Sequence, residues 1–403
     1  MDIVLCSPLL SYPGGHFVRF TIERALSMQK AGVNVVVVGF PPSASSEISK
    51  AKLSYISLSD RLWPAYRKFA NKMAKIFGNP WICSAEHMYV VWQAIRYARK
   101  RHIPLVYIAD IEPSIIGALA VLGQIRRSPR VAGMIVAPFY MHGAKVERMS
   151  LLFRSYLNRM CLPWLPRVIA VVCDDDFIAK YMYKSLDNVH IISDGFNRIN
   201  NPMPAADARR RLGLPMDQRM LLLFGVGMHS RGADFLALAM KQIDPAFYVC
   251  VVGEIGRLFK HAFFTGADQN ENAWINHMRI VEGFVSEAER ELYYQACDAI
   301  VLPHRYGHMC SSGNLRDAIS YGKAIIVADQ FYMGHVVKSN DLGLAFPPEN
   351  VGKLKECLES FARMPDKWFV DVAQRSKAVV ESNSYDDMGV RYKELFEKIV
   401  GHD

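Results

Sequence analysis

From position 311 to 322 the chain reads Ser311-Ser312-Gly313-Asn314-Leu315-Arg316-Asp317-Ala318-Ile319-Ser320-Tyr321-Gly322, a run suited to the start of a helix that holds an anion. Ser311 or Ser312 can cap that helix, Gly313 lets a ligand approach the backbone, and the open N–H groups of the first turn favour negative charge by about 0.3–2 kcal/mol. Asp317 follows one turn later. A phosphate seat with a carboxylate beside it points to a nucleotide, although an ordinary capped helix carries the same local signature. Asp174-Asp175-Asp176 is the other conspicuous cluster. Clustered carboxylates bind hard cations, yet this triplet stands between an apolar strand and a helical stretch, where aspartates cap the helix and complement its dipole. Capping is the preferred reading, and no metal site is expected. The eight cysteines form no CxxC pair and mostly lie in apolar runs, which predicts reduced core residues in a cytosolic protein and no zinc site.

Apolar strands at 299–303 and 324–327 flank the 311–322 run, so the helix start falls at the carboxyl end of a strand in a βαβ unit. Open parallel sheets bind ligands at that edge. The alternation runs from end to end. Strand-like stretches at 3–6, 33–40, 105–109, 131–137 and 168–173 are followed by 190–197 as a last strand with its exit turn. A polar, proline-containing link at 197–204 and a helix at 205–212 lead into a second series at 220–224, 247–252, 278–281, 299–302 and 324–327. The expectation is an α/β chain, two Rossmann-like domains facing across a cleft. They span 1–198 and 199–384, and a helix within 385–403 packs back on the first.

A length of 403 residues exceeds the ~250–300 at which one core stops growing. With 51% hydrophobic and 22% charged residues the composition is that of a soluble globular protein, without the ~18–20 uninterrupted apolar residues of a membrane span. The N-terminus enters a strand pattern directly, without the basic region or cleavage site of a secretory signal. A net charge of +9 favours anionic partners. Nucleic acid is not expected, since no finger spacing, RNA-binding signature or dense basic tail is present. Residues 61–77 repeat Leu62, Tyr66, Phe69 and Met73 at helical spacing among Arg61, Arg67, Lys68, Lys72 and Lys75, with Trp63 and Trp81 nearby. Such a helix either covers the first domain's core or adheres to an anionic membrane, Arg126, Arg127 and Arg130 extending the basic face in the second case.

The second half resembles retaining glycosyltransferases of the GT-B fold, specifically the family-4-type, or group 1, enzymes. Five stretches carry the resemblance: 221–227 with Arg231-Gly232-Ala233-Asp234; 248–253; Val281-Glu282-Gly283-Phe284-Val285 with its following helix; Asp317-Ala318-Ile319-Ser320-Tyr321-Gly322; and 342–348. In the first half it rests on Pro13-Gly14-Gly15-His16. The resemblance implies a donor site formed by Gly14, Gly15, Gly227, Arg231, Gly253, Gly283, Phe284, Val285, His308, Ser311, Ser312, Gly313, Asn314 and Asp317. Arg231 and the Ser312-Gly313-Asn314 amides would neutralise a diphosphate, Asp317 would hold the ribose, and Gly283, Phe284 and Val285 would flank the base. His16 and His142, with Arg231, are the catalytic candidates, and Asp110 and Glu112 stand on the acceptor side.

Two features depart from the family pattern. The first of its two glutamates falls on Met309, with His308 as a substitute or the 305–310 loop suiting another sugar, and the arginine after the first glycine turn is absent near Gly227 or Met228. The implied activity moves a sugar from a nucleoside diphosphate donor to a glycan or lipid-linked acceptor with retention and without metal or other cofactor. Its implied setting is bacterial cell-surface polysaccharide assembly, in the cytoplasm or peripherally on the inner face of the membrane. A nucleotide-sugar epimerase of similar fold and a noncatalytic nucleotide-sugar-binding subunit are the alternatives.

Overall fold

In the computed structural model the chain forms two compact units, Met1–Gly195 with Tyr385–Asp403, and Phe196–Ser384. The structure describes residues 1–8, 10, 17–40, 48, 50–58, 80–125, 128–135, 156–182, 188–225, 227–265, 271–309 and 311–401.

The first unit is built on a seven-stranded parallel sheet, ordered β3-β2-β1-β4-β5-β6-β7. Its strands are β1 (Asp2–Cys6), β2 (Asn34–Gly39), β3 (Ser54–Ser57), β4 (Leu105–Ile108), β5 (Arg130–Ile135), β6 (Ala170–Cys173) and β7 (Val189–Ile191). The central strands β1 and β4 are buried on both faces, as continuous apolar runs in a helix-covered sheet must be. The terminal helix Tyr385–Gly401 belongs to this unit and packs along the Phe17–Lys30 helix. Its Tyr392 hydroxyl lies 2.6 Å from that of Tyr107 on β4, and Arg24 pairs with Asp194 at 2.7 Å in the same buried layer. Asp175 accepts the Ile178 N–H at 2.7 Å and so caps the Asp176–Met182 helix.

The second unit has a six-stranded parallel sheet, ordered β10-β9-β8-β11-β12-β13. Its strands are β8 (Met220–Phe224), β9 (Tyr248–Val252), β10 (Met278–Val281), β11 (Ala299–Leu302), β12 (Ala324–Ala328) and β13 (Gly343–Phe346). Two apolar layers cover its faces, one around Phe247, Trp274 and Phe361, the other around Tyr294, Leu315 and Ile325. In both sheets the strand order reverses once, between β1 and β4 and between β8 and β11. Two Rossmann-like units are therefore present, as expected. Among the described residues no helix is long and apolar enough to cross a membrane.

Candidate active site

At the reversal between β8 and β11 the two flanking connections leave the sheet in opposite directions, which opens a crevice at the strands' carboxyl ends. The connection after β8 ends in the short turn His229–Arg231, and the one after β11 leads to the helix Gly313–Ser320. These two connections meet. Arg231 Nη1 lies 3.0 Å from His304 Nε2 and 3.5 Å from Ser312 Oγ. A guanidinium only donates, so the His304 nitrogen facing it is the acceptor and the ring proton sits on Nδ1.

Several contacts fix this geometry. Gly232, at φ +67°, follows Arg231, and an added Cβ there would lie 1.8 Å from the Pro303 carbonyl oxygen. Only glycine permits that approach. Arg305 spans the same two connections: its backbone N–H donates to Ser230 O at 3.0 Å, and its guanidinium reaches His229 O and Asp234 and stacks 4.4 Å from the Phe235 ring centre. Beyond the end of β12 the buried side chain of Gln330 donates to the carbonyls of His304 and Arg305 at 3.2 and 2.7 Å and accepts the Gly307 N–H at 2.9 Å. Asn314 Nδ2 donates to Phe224 O at 2.6 Å, tying the helix start to the end of β8.

The site's histidines are electrically quiet. His304 and His308 are buried with ring centres 4.2 Å apart. Burial holds His304 well below the usual histidine range, helped by His308 and Arg231. Burial and the charge of Arg231 bring His308 down to about 3. Both rings are neutral near pH 7, leaving the guanidinium as the positive charge at this point.

Ser312 occupies the cap position of the Gly313–Ser320 helix but makes no side-chain cap bond, and no acidic residue stands in the first turn. That end of the helix therefore presents its dipole to an anion beside a fixed cation. Asp317 is buried one turn on, and its carboxylate already accepts from Arg290, which also pairs with Glu287 at 2.5 Å. Gly227 and Gly253 lie in the turns after β8 and β9, an added Cβ on Gly253 falling 2.4 Å from Gly225 O. After β10, Gly283 has open space around it, Phe284 is 85% exposed and Val285 is half-buried. Ser311 is half-buried beside Ser312, and Met309, at the place of the first family glutamate, is buried.

In the first unit Asp110 and Glu112 follow β4 on the loop beyond its end. Glu112 is buried, 3.7 Å from His87 and within 3.2 Å of Ser114 Oγ and 3.4 Å of Asn158 Nδ2. Gly14, Gly15, His16, His142 and the 61–77 stretch lie outside the described residues. Sequence reasoning passed over His304, Gln330 and Arg290. The Pro303-His304 step directly after a buried strand was the available signal for the first; the other two act from elements far along the chain.

Residues 205–375 match the model of the family described as Glycosyl transferases group 1. Over that stretch, less than half of the chain, the second unit is similar to group 1 glycosyltransferases, and the two units have the GT-B type of fold. Among solved structures it resembles sucrose-phosphate synthase from Thermosynechococcus elongatus, at TM-score 0.73 and 15% identity over 100% of this chain and 99% of that one. Anabaena Alr3699/HepE in complex with UDP-glucose aligns at TM-score 0.70 and 14% identity over 99% and 100%. WaaG, a glycosyltransferase involved in lipopolysaccharide biosynthesis, aligns at TM-score 0.67 and 13% identity over 100% of each chain. At such identities the likeness speaks for the fold. No curated protein matches the chain by sequence.

Proposed function

We propose that the chain is a glycosyltransferase that takes its sugar from a nucleoside diphosphate donor bound at the β8/β11 crevice and passes it, with retention of configuration, to a glycan or lipid-linked acceptor. The observation that carries the reading is the placement of Arg231 against Ser312, a cation fixed at the open end of a helix. As the bond from sugar to diphosphate breaks, negative charge grows on the leaving group. Arg231 and the N–H groups of Ser312, Gly313 and Asn314 stabilise that charge without having to reorganise. In this reading Asp317 receives the ribose, Gly283, Phe284 and Val285 border the base, Gly227 and Gly253 let the donor approach the backbone, and His308 borders the sugar.

In the first unit the reading keeps Asp110 and Glu112 for the acceptor, His16 and His142 as catalytic candidates and Gly14 and Gly15 for the donor. Retention by front-side attack uses the leaving phosphate to take the acceptor's proton, so the reading assigns no dedicated base. Charge neutralisation by Arg231 and the helix start supports a metal-independent reaction. HepE was solved with UDP-glucose and WaaG is described as involved in lipopolysaccharide biosynthesis, which supports a UDP-sugar donor and a cell-surface glycan acceptor. The test is release of nucleoside diphosphate from a panel of UDP-, GDP-, ADP- and dTDP-sugars, with and without lipid-linked glycan acceptors, followed by NMR of the product's anomeric centre. Acceptor-dependent release with an unchanged anomer is expected. Sugar isomerisation without acceptor, or nucleotide binding without turnover, would overturn the reading.

A further inference from the structure

Behind Asp317 stands a buried arginine. Arg290 lies about one turn into the helix Glu287–Ala296, which follows β10 and the turn through Gly283, Phe284 and Val285. Its side chain is 7% exposed, and a guanidinium is buried that far only where carboxylates or other acceptors match its charge and its donors. Two carboxylates do so here. Nε and Nη2 donate to Glu287 Oε2 and Oε1 at 2.9 and 2.5 Å, a paired contact along one edge of the fork. Nη1 donates to Asp317 Oδ2 from the other side. The guanidinium carbon lies 5.4 Å from the ring centre of Tyr294, which is fully buried and packs on Phe224 at the end of β8. The helix itself is fixed to the preceding turn by a reciprocal cap: Ser286 Oγ accepts the Glu289 N–H at 3.2 Å and the Glu289 carboxylate accepts the Ser286 N–H at 3.1 Å.

Arg290 therefore joins two elements that serve different parts of one ligand in the donor-site reading, the 283–285 turn for the base and the Gly313–Ser320 helix for ribose and diphosphate. Base and ribose are covalently linked, so a carboxylate that is to meet ribose hydroxyls has to stand at a set distance and angle from the base. An aspartate left to itself rotates about both of its side-chain bonds. Tying one of its oxygens to a guanidinium that Glu287 clamps in turn selects one orientation, and a preorganised acceptor costs a ligand less to engage. Lysine could match the charge but not the fork, since it is a point donor on a flexible stem. We propose that Arg290 is a positioning residue that aims the Asp317 carboxylate at the ribose hydroxyls, so that the Glu287–Arg290–Asp317 chain sets the preference for a ribonucleotide over its 2′-deoxy counterpart. The inference rests on the donor-site reading and narrows it to the ribose.

The experiment titrates UDP, GDP and ADP, each beside its 2′-deoxy counterpart, into the full chain as wild type, Arg290→Lys, Glu287→Gln, Asp317→Asn and the double variant Arg290→Lys, Asp317→Asn. For the base that binds, the wild type should favour the ribonucleotide by about tenfold or more, the worth of a hydrogen bond to a charged group. Arg290→Lys should bring that preference to about threefold or less while the deoxynucleotide keeps its affinity. Glu287→Gln, a change at a side chain that is 57% exposed, should lower the preference in the same direction. In the Asp317→Asn background the lysine should have no further effect, because Arg290 acts through that carboxylate. Circular dichroism and melting temperatures report whether each variant is folded; should Arg290→Lys fail to fold, Glu287→Gln decides the matter. An unchanged ribose preference in the folded variants overturns the proposal, as do equal losses for ribo- and deoxynucleotide, which a merely structural arginine would give. If the wild type binds a diphosphate and Arg231→Ala weakens that binding, an unchanged ribose preference sinks this inference alone and leaves the donor site standing. Absence of binding by every diphosphate overturns both.

Discussion

Arg231 holds its position through a histidine that must remain uncharged, because a protonated His304 would repel the guanidinium it now accepts from at 3.0 Å. Burial enforces that state for His304 and His308 alike. Their folded pKa values lie below the unfolded 6.5, so below that pH the unfolded chain takes up protons the folded chain refuses. Stability is fully present above about pH 6.5 and falls by about 1.4 kcal/mol per pH unit for each such ring, continuing toward about 3 for His308. By about pH 5 the loss from His308 alone is roughly 2 kcal/mol. Urea midpoints at neutral pH and near pH 5 check this. The wild type should lose stability on acidification and His308→Gln should lose less; parallel losses would contradict the assignment. The position of Arg231 was legible in the sequence because an Arg-Gly step precedes a helix there. His304 was not, since its partner lies 73 positions away and a lone histidine carries no pattern. Asp317 was legible as a carboxylate one turn into a helix, but its buried pairing with Arg290 was not.

Central strands announced themselves because burial on both faces demands unbroken apolar runs, as in β1, β8 and β11. The edge strands β3 and β13 escaped for the converse reason. Ser54–Ser57 is bounded by exposed serines and Gly343–Phe346 is mostly half-buried, so neither needed a hydrophobic run to pair. The expected strand start at 168 gave way to helical turns, where Pro163 and Pro166 occupy first-turn positions that lack no hydrogen bond. Docking of the terminal helix depends on Gly389, whose added Cβ would stand 2.2 Å from the Ser27 carbonyl oxygen. In a free helix Gly→Ala gains about 1 kcal/mol. Here the methyl meets fixed backbone, and overpacking of up to about 3 kcal/mol should dominate. Gly389→Ala is therefore expected to lower the melting temperature of the first unit, and a rise would contradict this packing.

Each parallel sheet reverses its strand order once, and in the second unit the reversal is where the arginine, the histidine pair and the open helix end converge. Two α/β units were legible from alternation of strand and helix patterns alone, because that alternation leaves few other ways to bury both faces of a parallel sheet. Strand order was not, since it is set by contacts between segments far apart in the chain. The family match over 205–375 covers the unit that holds this crevice. Isothermal titration of nucleoside diphosphates and their parent nucleosides into the wild type and Arg231→Ala measures whether Arg231 and the helix start hold the diphosphate. One diphosphate should bind the wild type, its nucleoside should bind far more weakly, and Arg231→Ala should lose about 2 kcal/mol or more of diphosphate affinity while keeping the weak nucleoside binding. Equal diphosphate affinity in the two proteins would contradict the account.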